Sequence, residues 1–344
     1  MVNIQDFSLE DFSYIYEKPD SLKYFAAMNN EHHIPVLLKE TLDLLEPKDG
    51  ETYVDCTFGA GGHTKAILKC ANCKVIAIDR DPHVKILADE LKKEFGDRFI
   101  FVQNQFSNLD EVLQSLGIEK VDGIIMDLGF SSMQVDTPRR GFSFQADGPL
   151  DMRMSGDGMS AEDFINEASF EDLSNVIFKF GDEKRSREIA RAIIREREKQ
   201  KITGTLQLAE IIAKVSGGYS DGIHPATRSF QAIRIFINDE FDELKSVLQK
   251  AKDVLKENGR LVVITFHSGE DTIVKDFFKI HSGHESRGFS RYSPASVASR
   301  SSLPNELEII THKPIAATDE EIEMNIRARS AKIRAAKKLA AGIN

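Results

Sequence analysis

From Tyr53 onward the chain alternates short runs of consecutive apolar residues with amphipathic helical stretches, and few architectures accommodate that alternation. Residues 53–58, Lys74–Asp79, Phe99–Gln103 and Val121–Asp127 read as strands, separated by helical patterns over 63–70, 82–95 and 109–116. In the second of these helices Val84, Leu87, Ala88 and Leu91 recur at three- and four-residue spacing, which puts them on one face. Strands that are apolar on both faces must be covered on both faces, as in a parallel sheet with crossover helices. The expected fold is therefore an α/β domain with a doubly wound, mostly parallel sheet.

The alternation stops near Asp136 and returns only after Ala232. Between them lie a stretch rich in Gly, Asp and Met (141–158) and helical patterns over 161–168, 170–178, 186–200 and 205–215. A long helix over 235–256, a strand over 260–266, a helix over 271–281 and a last strand over 307–312 follow. The economical reading is a helical domain inserted between the fourth and fifth strands. It gives an N-terminal extension (1–31), a first α/β part (32–135), the insert (136–232) and a second α/β part (233–344). Residues 286–302, rich in Ser and carrying Arg287, Arg291 and Arg300, read as a mobile basic loop.

Composition narrows the function classes. The longest apolar runs, 121–126 and 261–266, are strand-sized, far below the ~18–20 residues that span a bilayer. Forty-five basic residues against fifty-five acidic ones give a net charge of −10, so any contact with nucleic acid must come from a local basic patch. Three cysteines cannot build a disulfide framework, which fits a reducing compartment. Residues 1–30 are too acidic for a targeting signal, so the expected location is the cytoplasm, without membrane attachment. Cys70 and Cys73 lack the second pair that a zinc site needs, and His32 and His33 stand unsupported, so no metal is expected.

The candidate site is at the strand ends. Asp55-Cys56-Thr57-Phe58-Gly59-Ala60-Gly61-Gly62-His63 joins the first strand to the first helix, where glycines let the backbone approach a ligand and free N–H groups favour an anion. Taken as structure alone, the same glycines are a tight turn. Asp79 ends the second strand twenty residues after Gly59, where an acid can accept from ribose hydroxyls, or simply cap the helix after Pro82. Phe106 follows the third strand and suits either adenine or core packing. Asp127, Ser131, Ser132 and Gln134 follow the fourth, and polar groups at a buried strand end are costly without partners. These features indicate an adenosine-containing cofactor and do not by themselves separate NAD from S-adenosylmethionine.

On these residues the chain resembles the small-subunit ribosomal RNA cytosine-N4 methyltransferases. Further shared motifs are Ala77-Ile78-Asp79-Arg80-Asp81-Pro82, Asp127-Leu128-Gly129-Phe130-Ser131-Ser132-Met133-Gln134, Arg140-Gly141-Phe142-Ser143-Phe144 and Asp147-Gly148-Pro149-Leu150-Asp151-Met152-Arg153-Met154. His224-Pro225-Ala226-Thr227-Arg228 and Phe230-Gln231-Ala232-Ile233-Arg234 complete the series, in family order from His32 to Leu339. Mitochondrial relatives of the bacterial enzymes share them. The resemblance implies a class I methyltransferase fold with a helical insert, S-adenosylmethionine as cofactor and methyl transfer to the N4 amine of a cytidine. Carried over by position, Gly61, Gly62 and His63 contact the cofactor from the glycine loop, Asp79 binds the ribose, and Phe106, Asp127 and Gln134 supply the other contacts. The implied partner is small-subunit ribosomal RNA, within an assembled or assembling subunit, and a homodimer is compatible with it. Two features depart from the family. Gly269 stands where Leu is usual, which should loosen the loop around His267, and residues 1–30 have no counterpart.

Methyl transfer to an amine is one in-line displacement, needing alignment but no metal and no covalent enzyme intermediate. A cytosine N4 lone pair is delocalised into the ring, so a nearby acceptor must favour the geometry that attacks. Asp127-Leu128-Gly129-Phe130 stands in place of the usual Asp/Asn-Pro-Pro-aromatic motif, and Asp127, Ser131 and Ser132 are candidates, although the resemblance already gives Asp127 a cofactor role. The catalytic residue is therefore unassigned at this point. The base must also leave its stack, and the 141–154 loop with Phe142, Phe144 and Arg153 could close over it or pack between domains. Arg185, Arg187, Arg191, Arg195 and Arg197 could meet phosphates, or pair with Glu188, Glu196 and Glu198. Arg327, Arg329, Lys332, Arg334, Lys337 and Lys338 form a basic tail without an acid, expected to touch phosphate. An NAD-dependent dehydrogenase and a non-catalytic assembly factor are the competing readings.

Overall fold

The computed structural model describes residues 35–216, 224–283 and 305–340. The N-terminal extension, His32, His33 and the 286–302 loop lie outside them. In chain order the first elements are α1 (Leu38–Leu45), β1 (Thr52–Asp55), α2 (Gly62–Cys70), β2 (Lys74–Asp79), α3 (Lys85–Phe95), β3 (Phe99–Gln103), α4 (Leu109–Ser115) and β4 (Val121–Asp127). Then come α5 (Ser132–Val135), α6 (Ala161–Glu167), α7 (Phe170–Gly181), α8 (Ser186–Arg197), α9 (Thr205–Ser216), α10 (Thr227–Ile237) and α11 (Glu240–Val254). The chain closes with β5 (Leu255–Thr265), α12 (Ser268–His281), β6 (Leu307–Ile309), β7 (Ile315–Ala316), α13 (Asp319–Met324) and β8 (Lys332–Lys338).

Two compact units result, one made of the described residues up to Gly129 and from Leu244, the other of Phe130–Glu243. The first holds a sheet of order β3-β2-β1-β4-β5-β8-β6, with β7 paired to β8. Strands β1 to β5 pair in parallel, and β8 runs antiparallel to β5 and β6. Val54, Ile76, Ile78, Ile124, Ile125 and Val262 have no exposed surface, which is why these strands read as unbroken apolar runs. Strand order reverses at β1, flanked by β2 and β4, and a doubly wound sheet binds ligands beyond the carboxyl ends of strands at such a point.

The basic tail is a strand from Lys332 onward, while Arg327 and Arg329 precede it and, like Lys332, are exposed. Residues 332–338 form β8, inserted between β5 and β6, with Ile333, Ala335 and Ala336 fully buried. Arg334 pairs bidentately with Asp271 at 2.7 and 3.1 Å, Lys337 with Glu308 at 2.7 Å, and Lys338 with Glu306 at 3.3 Å. Glu306 also meets Lys252 at 2.8 Å and His281 at 3.1 Å. Burial alone would raise its carboxyl, but the Lys252 ammonium prevails and draws it down to about 2. The acids missing from the local sequence arrive from α12, β6 and the residues before β6.

The second unit is helical. Ser160 and Ser169 cap α6 and α7, each accepting from the backbone three residues on, as the Ser-x-x-Asp spacing favours. Phe164, Ile177, Ile193, Ile212, Phe230 and Ile233 share one core. The insert expected over 136–232 falls within this unit. The helix expected over 235–256 is divided at Asn238 and Asp239, the latter left-handed at φ 51°. Asn238 accepts from the Met154 N–H (2.8 Å) and donates to the Met152 carbonyl (2.8 Å), while Arg234 and Glu240 pair across the break at 2.7 and 2.8 Å. The 141–154 loop is built into this unit, not poised as a free flap. Leu150 and Met152 are buried, Phe144 packs on Phe230 and His224 with centroids 4.7 and 4.6 Å apart, and Arg153 is held bidentately by Asp151 at 2.9 Å.

Candidate cofactor site

The site begins at the end of β1. Asp55 is buried and accepts from the Thr57 N–H (3.0 Å) and from the Thr64 hydroxyl on α2 (2.7 Å). Burial pushes its carboxyl up, and those donors work against the rise. Thr57 in turn accepts from the Asp127 N–H at 2.6 Å, which binds the loop after β1 to the end of β4. The loop also reaches β2, where the Phe58 N–H donates to the Ile78 carbonyl at 3.0 Å. Three neighbouring strand ends are thus held in one hydrogen-bonded frame. The sequence reading did not single out Asp55, Thr57 or Thr64 for this; an acid ending a buried strand two residues before a threonine was the available signal.

Asp79 stands opposite the glycine loop. One carboxylate oxygen accepts from the Gly59 N–H (2.7 Å) and the other from the Asp81 N–H (2.9 Å). Burial outweighs both bonds and raises the carboxyl to about 6. The helix-cap alternative belongs to Asp81, whose side chain accepts from the His83 N–H at 3.0 Å. Asp79 is left with two backbone donors and no cation partner among the described residues, so each oxygen retains acceptor capacity for a hydroxyl pair.

The two loop glycines have packing reasons of their own. Gly61 caps α2 in the left-handed conformation (φ 80°), and a side chain there would come within 2.8 Å of the Phe58 ring. A side chain on Gly62 would meet Pro35 at 2.3 Å. At both positions a side chain would run into the protein itself, which is the structural reading of these glycines and leaves a ligand role open beside it. The first backbone N–H groups of α2 stay outside its internal ladder and can receive an anionic group.

His63, next along α2, is 6% exposed, and neither ring nitrogen has a hydrogen-bond partner. Its Nε2 lies 3.5 Å from Asp127 Oδ2, and Asp127 Oδ1 is itself buried without a partner. Orphaned buried polar atoms are rare in native folds and mark a place where a ligand group or water is expected. Glu321 on α13 accepts from the Leu37 N–H at 2.6 Å and so anchors the segment from Pro35 that packs on Gly62. Sequence reasoning missed it, because 284 residues separate the partners. At the end of β5, His267 accepts from the Gly269 and Glu270 N–H groups (3.2 and 3.4 Å), and Glu270 accepts from the Phe266 N–H (2.8 Å). This capping box holds the loop that Gly269 was expected to loosen.

Gly61, Gly62, His63, Asp79, Phe106 and Asp127 all belong to the first unit, at or just beyond the carboxyl ends of β1 to β4, with Phe106 half-buried in a turn after β3. Gln134 belongs to the second unit, where it is buried and its amide oxygen accepts from the Ser131 N–H at 2.9 Å. Cys73 is buried and its thiol donates to the Ile67 carbonyl. An acid at the second strand end, an aromatic after the third, free helix N–H groups and the orphaned atoms of His63 and Asp127 fit an adenosyl ligand with an anionic end. No helix among the described residues is long and apolar enough to cross a membrane.

Comparison with known proteins agrees with this chemistry. The profile of the MraW methylase family matches residues 30–339. A protein of Rickettsia massiliae named ribosomal RNA small subunit methyltransferase H is 51% identical over 308 residues, 89% of this chain and 98% of its own. Proteins of the same name from Rickettsia bellii and Rickettsia felis are 52% and 50% identical, covering 89% and 90% of this chain and 99% of each relative.

Proposed function

The chain belongs to the MraW methylase family and is an S-adenosylmethionine-dependent methyltransferase; we propose that it methylates small-subunit ribosomal RNA at the N4 amine of a cytidine. The observation that carries this reading is near-complete coverage, at about half identity, of relatives named for that RNA. In the proposed site Asp79 accepts from the ribose hydroxyls and Phe106 packs on adenine. The N–H groups of Gly62 and His63 receive the carboxylate end. Bound there, S-adenosylmethionine supplies a methyl group to an attacking amine in one in-line displacement.

Asp127 is the acceptor we assign to the reacting amine. Its Oδ1 is buried without a partner, and its backbone is fixed through Thr57. A carboxylate there favours the pyramidal amine and takes the proton released as the nitrogen–carbon bond forms. The target base leaves its stack to reach it, in the cytoplasm, on an assembled or assembling subunit. Mass spectrometry of nucleosides from small-subunit RNA, with and without the protein, tests the reading; the expected product is N4-methylcytidine, and a methyl group on another atom or base refutes it. Asp127→Asn keeps the shape and removes the charge, so methyl transfer should fall by about 10²-fold or more. Calorimetry should show binding of S-adenosylmethionine and none of NAD.

A further inference from the structure

Of the five arginines around α8, two are occupied by the fold. Arg197 donates to the Ile165 and Ala168 carbonyls, both at 2.8 Å, and so satisfies the carboxyl end of α6. Arg185 donates to the Val215 carbonyl at 2.6 Å, near the end of α9, and pairs with Glu188 at 3.5 Å. Arg187, Arg191 and Arg195 are different. They recur every four residues, so they lie on one side of α8 about 6 Å apart along its axis. All three are exposed, and among the described residues none forms an ion pair with a carboxylate. Arg191 is braced over the Phe170 ring at 5.5 Å, which orients the guanidinium and leaves its charge available. Exposed Lys184 precedes them, and exposed Glu198 lies just beyond the helix end.

The same unit also holds an acidic groove of about 520 Å³, to which α8 contributes no residue, lined by Asp163, Glu167, Asp172, Asp239 and Asp242, with Lys179 as its one cation. The groove is thus rich in carboxylates while the stripe presents three cations, in a chain that is acidic overall. A polyanion is repelled from the groove and attracted to the arginine stripe.

We propose that Arg187, Arg191 and Arg195 are the phosphate-contacting surface of the helical unit and that the acidic groove is excluded from the RNA. The proposal rests on the small-subunit RNA reading above. It assigns these arginines to backbone contact, which positions the RNA without reading its sequence.

The test uses the full chain, purified small-subunit ribosomal RNA and a salt titration. Replacing the stripe (Arg187→Gln, Arg191→Gln, Arg195→Gln) should make the slope of log affinity against log salt shallower by about 2, at ~0.7 per single-strand contact. Affinity at 0.1 M salt should then fall about 100-fold relative to that at 1 M. Calorimetric S-adenosylmethionine affinity and melting temperature should stay unchanged. Neutralising the groove (Glu167→Gln, Asp239→Asn) should leave RNA affinity the same or tighter. An unchanged slope in the stripe variant, or an equal loss in the groove variant, overturns the proposal while wild-type methylation of the RNA still stands. A wild-type protein with no salt-dependent RNA affinity overturns this proposal and the RNA reading together.

Discussion

Helix α8 and strand β8 carry similar runs of basic residues and use them in opposite ways. On α8, Arg187, Arg191 and Arg195 remain exposed, without carboxylate partners among the described residues. On β8, Arg334, Lys337 and Lys338 each meet an acid, at 2.7, 2.7 and 3.3 Å. Counting acids along the chain gives the reverse answer, since α8 has glutamates at helical spacing and β8 has none. On a helix the neighbours of a residue lie three or four positions away. On a strand they lie across the ladder, and Glu308 is the register partner of Lys337. Local charge patterning therefore misleads about both: helical spacing permits pairs that Arg187, Arg191 and Arg195 do not form among the described residues, and the strand's acids come from elsewhere in the chain.

Removing Ile326–Asn344 is the strongest challenge to this comparison. The deletion takes out β8 from between β5 and β6 together with fully buried Ile333, Ala335 and Ala336, so the chain should lose its cooperative thermal transition. A truncated protein that melts like the parent but binds RNA weakly would return these residues to a phosphate-binding role.

Next in size is Arg334→Met, which leaves the partly buried Asp271 without its cation and should cost about 3 kcal/mol in chemical denaturation. Adding Asp271→Leu should recover most of that loss. No recovery in the double variant would mean that packing, and not the pair, sets the cost.

The comparison extends to acids. Asp271 spends its charge on Arg334, whereas Asp79 is held by backbone donors and is raised to about 6 by burial. Ribose hydroxyls favour the carboxylate form, so S-adenosylmethionine affinity should be flat above pH 7 and fall by up to about tenfold per unit below pH 6. In the free protein the sign is opposite. A carboxyl raised by folding contributes stability that is complete below its unfolded value and is lost as pH rises through about 6. Asp79→Asn should remove both dependences; an affinity profile in the variant as steep as in the parent would take Asp79 out of the site.

The smallest effect sharpens the other arm. Arg187→Gln and Arg195→Gln, taken singly, should each change stability by no more than about 0.5 kcal/mol, as exposed positions without partners do. Arg197→Gln should cost more, because the Ile165 and Ala168 carbonyls lose their donors. Equal melting temperatures for all three would erase the distinction drawn within α8.

The sequence by itself determined the parallel half of the molecule. Lys74–Asp79, Phe99–Gln103 and Val121–Asp127 were legible to the residue, because a strand buried on both faces must be continuously apolar and its polar ends then stand out. Asp79 and Asp127 were found by that contrast. Tertiary structure alone decided three things. It turned a basic tail into a strand whose acids lie elsewhere in the chain. It folded the 141–154 loop into the helical core, where Gly141 and Gly148 admit no side chain against the Pro149 and Pro138 carbonyls. It also brought Glu321 to Leu37. The strand's ion pairs, the packing of Phe144 on Phe230 and the Glu321–Leu37 bond all join residues distant along the chain, and burial and charge pairing at such contacts follow from packing that no local pattern encodes.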